Sequence, residues 1–465
     1  MLTDIKKYLD KVCEQIRFQK AHPIVQKELE DHIVDQTEAF VLEGMPKTKA
    51  VEKAIEQMGD PVMVGAQLDR VYRPKTQWSL IFFVILFSIV GFILQYNIKN
   101  TIYHTNIGMI HTSTLLAFII GMGMMILFYF IDFTILVHNA IKIYICYVSA
   151  MGIVFVLSEF PIMGYPVYVN GAPQVPPLIY LFPIIFTGVL YHFRAKSYDA
   201  IVLCMCSMIL PVLFTSNTKV KTACFLIVLV NICLMTIAII KNWFAVKKLY
   251  ALLLLYIPTL LAGCLTAMLP FVRYRLHIAL LDPDGGDYIR YLLQNNVKEA
   301  ALLGKGGLIT LPSGETLDIL RSIPYQLEYL PTYILHCGGW VLLIIFLAMY
   351  LFFLARGFLL ARKQKSQLGF MTAMAILLTF SVISIWNIIS NSGFFFDFNF
   401  LEIPFFSHGG TLYILFFIMM GILLSVFRTG NCVKDSLAVK KTAPFMKFEN
   451  GTLIIHLFPK KDRAK

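Results

Sequence analysis

The residues best suited to chemistry lie in a polar interval, about 271–331, between two long apolar stretches. It opens Arg273-Tyr274-Arg275 and passes through Leu281-Asp282-Pro283-Asp284-Gly285-Gly286-Asp287-Tyr288. It continues to Gly304-Lys305-Gly306-Gly307-Leu308 and closes Ile323-Pro324-Tyr325-Gln326-Leu327-Glu328-Tyr329. Arginine forks onto phosphate oxygens, and a carboxylate near a hydroxyl takes its proton. An amphiphile with an anionic diphosphate head would find cations here and a carboxylate nearby. Plainer readings stand beside this one: interfacial anchors for Arg273 and Arg275, a loop acid for Glu328, and a turn cap for Asp282 before Pro283. A second polar stretch, Ser407-His408-Gly409-Gly410, reads as a tight turn into a helix; a lone histidine is a poor metal site.

Motifs for soluble chemistry are missing: no Gly-rich phosphate loop, no GxSxG, no HExxH and no metal-spaced His/Cys cluster. The nine cysteines are scattered, mostly in apolar runs, and read as small packing residues.

The elements that must position these residues are membrane spans. Of 465 residues 58% are hydrophobic and 15% charged, too apolar a balance for a water-soluble chain. Ten apolar runs fall near 77–97, 111–131, 141–160, 177–193, 199–214, 222–241, 247–270, 332–355, 370–392 and 410–428. An even number places both termini on one side. Arg73, Lys75, Lys142, Arg194, Lys196, Lys241, Lys247, Lys248, Arg356, Arg362, Lys363, Lys365 and Arg428 flank the runs on that side, against Lys99, Lys219 and Lys221 in short opposite loops. The positive-inside rule makes the termini cytoplasmic and the 271–331 interval an outside loop. The net charge of +12 then follows from topology and anionic lipid, not from nucleic acid.

Residues 1–74 form a separate polar unit of three or four amphipathic helices. Ile5, Leu9, Val12 and Ile16 repeat at helical spacing, as do Val25, Leu29 and Ile33. Gly44 reads as a helix stop. Gly59 ends a helix, Asp60 caps the next and Pro61 fits its first turn. His22 and His32 are expected on a solvated surface. The unit resembles the permease prefix domain found ahead of membrane domains, through Lys27-Glu28-Leu29-Glu30-Asp31-His32-Ile33, the Met58-Gly59-Asp60-Pro61 turn and Arg73-Pro74-Lys75. The basic tail, 429–465, contains a stretch at 445–458 expected as a small hairpin or a membrane-surface segment. The fold class expected is all-α: a polytopic membrane domain behind a small soluble helical bundle.

Within 77–428 the sequence resembles the SEDS family of membrane glycosyltransferases (RodA, FtsW, SpoVE), most strongly from about 271 onward. Arg275 and Leu281-Asp282-Pro283 match the start of the family's large outside loop, followed by Asp287-Tyr288 and Gly306-Gly307-Leu308. Asn387 matches an asparagine in span nine. Ile403-Pro404-Phe405-Phe406-Ser407-His408-Gly409-Gly410-Thr411 matches the family's last outer loop, and Val169-Asn170-Gly171-Ala172 an Asn-Gly-Ala run. The chain departs from the family where an aspartate is expected before span eight; that place falls on Glu328. An Arg-Trp-Ile after Asn-Gly-Ala is missing, and Ser216-Asn217-Thr218-Lys219-Val220-Lys221-Thr222 replaces a Gln-Pro-Asp element.

The resemblance implies polymerisation of lipid II at the outer face of a bacterial cell membrane, with a class B penicillin-binding protein as partner. It implies Glu328 as general base, Arg273 and Arg275 as diphosphate clamps, and Asp282, Asn387, Ser407, His408, Gly409 and Gly410 along the substrate site. A divalent cation at the diphosphate is left open. Two other functions stay open: a flippase for lipid-linked precursor, and a non-catalytic homologue acting as scaffold.

Overall fold

A computed structural model describes residues 2–74, 76–102, 107–159, 168–169, 172–173, 176–216, 221–268, 288–311, 314–319, 327–393, 401–406, 410–430, 446–449 and 452–455. The first unit has four helices: α1 (Leu2–Glu14), α2 (His22–Leu42), α3 (Lys47–Met58) and α4 (Pro61–Tyr72). The apolar faces read from the sequence meet in one core, where Ile5, Leu9, Val12, Ile16, Val25 and Ile33 pack with Val51, Ala54 and Tyr72. Gly44 has φ +92° just past α2, and Gly59 has φ +83° between α3 and α4; both leave the helix in the left-handed region. The Asp60 carboxylate accepts from the Met63 N–H at 3.2 Å, and Pro61 opens α4. Cross-ties close the bundle: Tyr72 donates to Glu28 at 2.9 Å and the Arg17 N–H to Asp69 at 2.9 Å. Burial pushes the Cys13 thiol up, in keeping with a packing role. His32 is exposed as expected, but His22 is half-buried, its ring nitrogen 2.8 Å from the Ile16 carbonyl. That contact closes the turn between α1 and α2.

The membrane part follows the apolar runs closely: α5 (Trp78–Ile102), α6 (Ile107–Phe130), α7 (Ile135–Glu159), α8 (Phe182–His192), α9 (Tyr198–Ser207), α10 (Ile209–Ser216), α11 (Lys221–Ile240) and α12 (Lys248–Ala267). After the polar helix α13 (Tyr288–Lys298) come α14 (Leu330–Arg362), α15 (Gln367–Asn391) and α16 (Thr411–Thr429). The pair α9 and α10 makes up one interrupted apolar run. A 3-10 turn, Pro176–Leu181, leads into α8. Strands are minor: β1 (Tyr168–Val169) with β2 (Ala172–Pro173), β3 (Ile309–Thr310) with β4 (Thr316–Leu317), and β5 (Met446–Glu449) with β6 (Thr452–Ile455), each an antiparallel pair. The tail stretch thus contains the hairpin, and the class is all-α.

Helices here approach through small residues. On α16, a Cβ at Gly421 would lie 2.5 Å from the Met125 carbonyl of α6, and one at Gly121 would lie 2.8 Å from the Phe417 ring. Backbones that close gain dispersion contacts, the main attraction between helices in lipid. At the end opposite α13, cations cover aromatic rings: Arg194 on Tyr191 (3.8 Å), Lys241 on Phe370 (3.8 Å) and Arg428 on Tyr129 (4.5 Å). The other end, from which 288–319 projects, is the loop face.

Two features shape that face. The helix α14 has 33 residues, about 50 Å at 1.5 Å each, more than the ~30 Å of a bilayer core. It breaks at Gly339 (φ +75°, ψ −174°), so 330–338 caps the loop face and 340–362 crosses the membrane. The second is the segment 401–406, which the sequence presents as an outer loop. It dives into the bundle: Phe405 and Phe406 are almost wholly buried. The ring of Phe405 packs on Phe380 (5.5 Å), Phe353 (6.0 Å) and Phe417 (5.8 Å), and that of Phe406 on Phe346 (4.9 Å). Phe380 lies two helical turns, about 10 Å, below Asn387 on α15. Non-helical backbone at that depth needs protein on all sides, and α14, α15, α16 and, through Phe87 on Phe406 (5.3 Å), α5 supply it. The turn costs backbone strain, since Phe405 has φ +72°.

Candidate functional site

Glu328 sits in a 3-10 turn, Leu327–Tyr329, that runs straight into α14, where Pro331 occupies the first turn without needing an N–H acceptor. The residue is half-buried at the loop face. Its backbone carbonyl accepts from two side chains of one helix: Asn387 Nδ2 at 2.8 Å and Asn391 Nδ2 at 2.9 Å. Residues four apart lie on one face of a helix, so both reach the same oxygen. The Asn387 amide also donates to the carbonyl of Leu401. One buried side chain therefore joins the turn before α14 to the re-entrant segment. Thr332 Oγ1 donates to Asn391 Oδ1 at 2.7 Å, and Asn296 of α13 donates to the Thr332 carbonyl at 3.3 Å. Asn387, Asn391, Thr332 and Asn296 are all buried, so each bond stands in a low dielectric.

This junction brings a second carboxylate to the site. Glu402 follows Leu401, and Glu328 and Glu402 both lie within electrostatic reach of the buried Tyr180, which precedes α8. The chain segments before α8, before α14 and before α16 thus converge. A hydroxyl substrate there would meet carboxylates that accept protons and a phenol that donates a hydrogen bond.

The polar helix α13 roofs the site. Arg290 and Gln294 donate to the Gly393 carbonyl at 3.2 and 2.9 Å, just past α15. Gly393 has φ +71°, and a Cβ there would lie 2.7 Å from Gln294 Cγ. Beyond α13 the chain is spliced into the break in α14. The N–H of Trp340 donates to Ala301 O (3.1 Å) and that of Val341 to Leu302 O (3.1 Å). In return Gly306 donates to His336 O (2.7 Å) and Gly304 to Gly338 O (3.3 Å). The loop thus supplies the partners that the helix loses at Gly339. Lys305 pairs with Asp318 at 2.8 Å, and Asp318 approaches the buried His336 at 3.4 Å.

Of the residues singled out from sequence, the structure brings together Glu328 and Asn387. Gly410 stands apart as the N-cap of α16, with φ +88°, a helix start as expected for that glycine. Arg273, Arg275, Asp282, Ser407, His408 and Gly409 lie outside the described residues. Sequence reasoning missed Asn391, Thr332, Glu402 and Tyr180. The i, i+4 spacing of Asn391 from Asn387 was the one available signal. Among the described residues no three His, Cys, Asp or Glu side chains gather to hold a metal.

Residues 333–431, covering the last three spans, match the model of a family described as cell cycle protein, FtsW/RodA/SpoVE. A solved structure described as coordinating polymerization and crosslinking in a peptidoglycan synthase complex is 17% identical, with a TM-score of 0.58 over 76% of this chain and 98% of that one. The rod shape determining protein RodA of Thermus thermophilus is 15% identical, with a TM-score of 0.48 over 76% of this chain and 97% of its own. No curated protein sequence matches. At these identities the first structural likeness speaks for the fold.

Proposed function

We propose that the chain is a divergent member of the SEDS family of membrane proteins, the FtsW/RodA/SpoVE group whose model matches its last three spans, and that it polymerises lipid II into glycan strands. The observation that carries the reading is the junction at Glu328. The backbone of the half-buried Glu328 is held at the loop face by α15, and through Asn387 it is joined to the re-entrant segment. The positive-inside rule puts the loop face outside the bacterial cell membrane, where lipid-linked precursor is polymerised.

In the proposed reaction a sugar hydroxyl of one substrate attacks the anomeric carbon of another. A glycosidic C–O bond forms, the bond to the diphosphate oxygen breaks, and undecaprenyl diphosphate leaves with the electron pair. Glu328 takes the hydroxyl proton. The resemblance assigns Arg273 and Arg275 to the diphosphate, whose developing charge a guanidinium would balance. The polyprenyl chains need a lipid-facing surface. The loop-face half of α12 offers one: from Tyr256 onward its described side chains are exposed all round, apart from Thr259, which is half-exposed. Its threonine hydroxyls are satisfied within the helix, Thr259 by Leu255 O and Thr266 by Gly263 O, and the Tyr256 hydroxyl bonds Thr236 of α11 at 2.9 Å.

A class B penicillin-binding protein is the proposed partner, since the structural relative comes from a complex that couples polymerization to crosslinking. An ion-coupled flippase is less well supported. Among the described residues no Asp, Glu, Lys or Arg is fully buried in a span.

The test is lipid II polymerisation by purified protein with its partner, wild type against Glu328→Ala. Polymer from wild type and none from the variant is expected. Polymer from both would remove Glu328 from the mechanism; none from a folded, partnered wild type would favour the scaffold.

A further inference from the structure

We infer that Asn391, held by Thr332, is a positioning residue that sets where the Glu328 carboxylate lands; this rests on the proposed role of Glu328. A carbonyl oxygen has two lone pairs, and one donor is enough to satisfy it. The Glu328 carbonyl has two, Asn387 at 2.8 Å and Asn391 at 2.9 Å. The second bond fixes the peptide plane in a direction that the first leaves free. Asn391 cannot swing away, because its Oδ1 accepts from Thr332 at 2.7 Å and its Nδ2 also donates to the Asn387 carbonyl at 2.9 Å.

Thr332 stands one helical turn beyond Glu328 on the same chain. The contacts therefore close a ring: Glu328 carbonyl, Asn391 carboxamide, Thr332 hydroxyl and the first turn of α14 back to Glu328. All members but the glutamate are buried. Glutamate has one more rotatable bond than aspartate, so its carboxylate samples more positions from a given root. Fixing the root limits that sampling, and a displacement of about 1 Å at a reacting group costs up to ~100-fold in rate. Glu328 and Glu402 both act electrostatically on the buried Tyr180, and a shift of the Glu328 carboxylate relative to the groups around it changes how readily it ionises.

The full-length protein with its partner is compared with Asn391→Leu, which keeps the shape and removes the side-chain hydrogen bonds, and with Thr332→Val and Thr332→Ser. Two quantities are read: kcat and KM for lipid II, and the pH midpoint of Glu328 labelling by a water-soluble carbodiimide, followed by mass spectrometry. Asn391→Leu and Thr332→Val are expected to lower kcat about tenfold with KM within about twofold. They are also expected to move the labelling midpoint by roughly half a pH unit or more. Thr332→Ser, which keeps the hydroxyl, restores both. Wild-type kcat and an unmoved midpoint in Asn391→Leu overturn the inference. If that variant does not fold, the Thr332 pair decides: Val and Ser behaving alike overturns it. Glu328→Gln separates the two readings. Full turnover in that variant sinks the general base, while the labelling midpoint, which needs no turnover, still decides the ring.

Discussion

A glutamate at 328 reaches one methylene further than the aspartate the family resemblance leads one to expect, from a backbone that Asn387 and Asn391 hold. Shortening it moves the carboxylate away from a fixed root. Glu328→Asp is therefore expected to keep polymerisation at about a tenth to a hundredth of wild type, read as polymer formed per minute, whereas Glu328→Gln gives none. A second residue tests stability instead. Asn231 lies fully buried in α11, and neither its amide nitrogen nor its oxygen has a hydrogen-bond partner among the described residues. Two unpaired polar atoms in a span carry an unrecovered desolvation cost. Asn231→Leu should raise the melting temperature in detergent, by roughly 1 kcal/mol of stability; a fall would show that a bound water already pairs them. Sequence alone made Glu328 and Asn387 visible. It hid Asn391, Thr332 and Glu402, because their meaning depends on which backbone oxygens come near. Thr332 and Asn391 are 59 positions apart, and an asparagine near the end of an apolar run looks like ordinary interfacial polarity.

Elements were the most legible level, because a bilayer demands long apolar runs and this chain supplies them. The expected spans and observed helices differ mainly where a helix outruns the membrane or breaks. The break in α14 carries a prediction. At Gly339 a Cβ would lie 2.6 Å from Ala301 O in a backbone region that only glycine adopts readily. Gly339→Ala should cost about 2 kcal/mol or more, seen as a lower melting temperature and faster amide exchange in 299–307. The re-entrant segment escaped sequence reading for a related reason. Ile403-Pro404-Phe405-Phe406 is apolar enough to be buried, but short polar-flanked runs give no periodicity to say so. Phe405→Ala should cost about 3–5 kcal/mol, as for a large ring removed from a packed core, less the strain that a smaller residue relieves at positive φ. A melting curve unchanged by Phe405→Ala would refute the packing described for it.

For the whole molecule, the sequence separated a polar helical unit from a membrane domain, and the structure gives the first four helices a core of their own. A fragment of residues 1–74 should fold by itself, with a helical circular dichroism spectrum and a cooperative melt that Asp60→Ala weakens by about 1 kcal/mol. A non-cooperative melt would mean that the unit needs the membrane part. The order of the apolar helices was legible because each span needs a long apolar run, whereas the side on which the termini lie rests on charge bias alone. The arrangement of α13 over the mouth was not, since loop-to-helix bonds leave no periodic trace.

The splice at Gly339 makes a mechanical joint of the loop and α14. Four backbone bonds, from 301, 302, 304 and 306 to the two sides of the break, lie side by side and share any load between them. Two of them hold the short helix 330–338 and two hold the span beyond Gly339, so the loop works as a splint: a pull on it is shared by both sides of the break, and the short helix that starts beside Glu328 keeps its angle to the span.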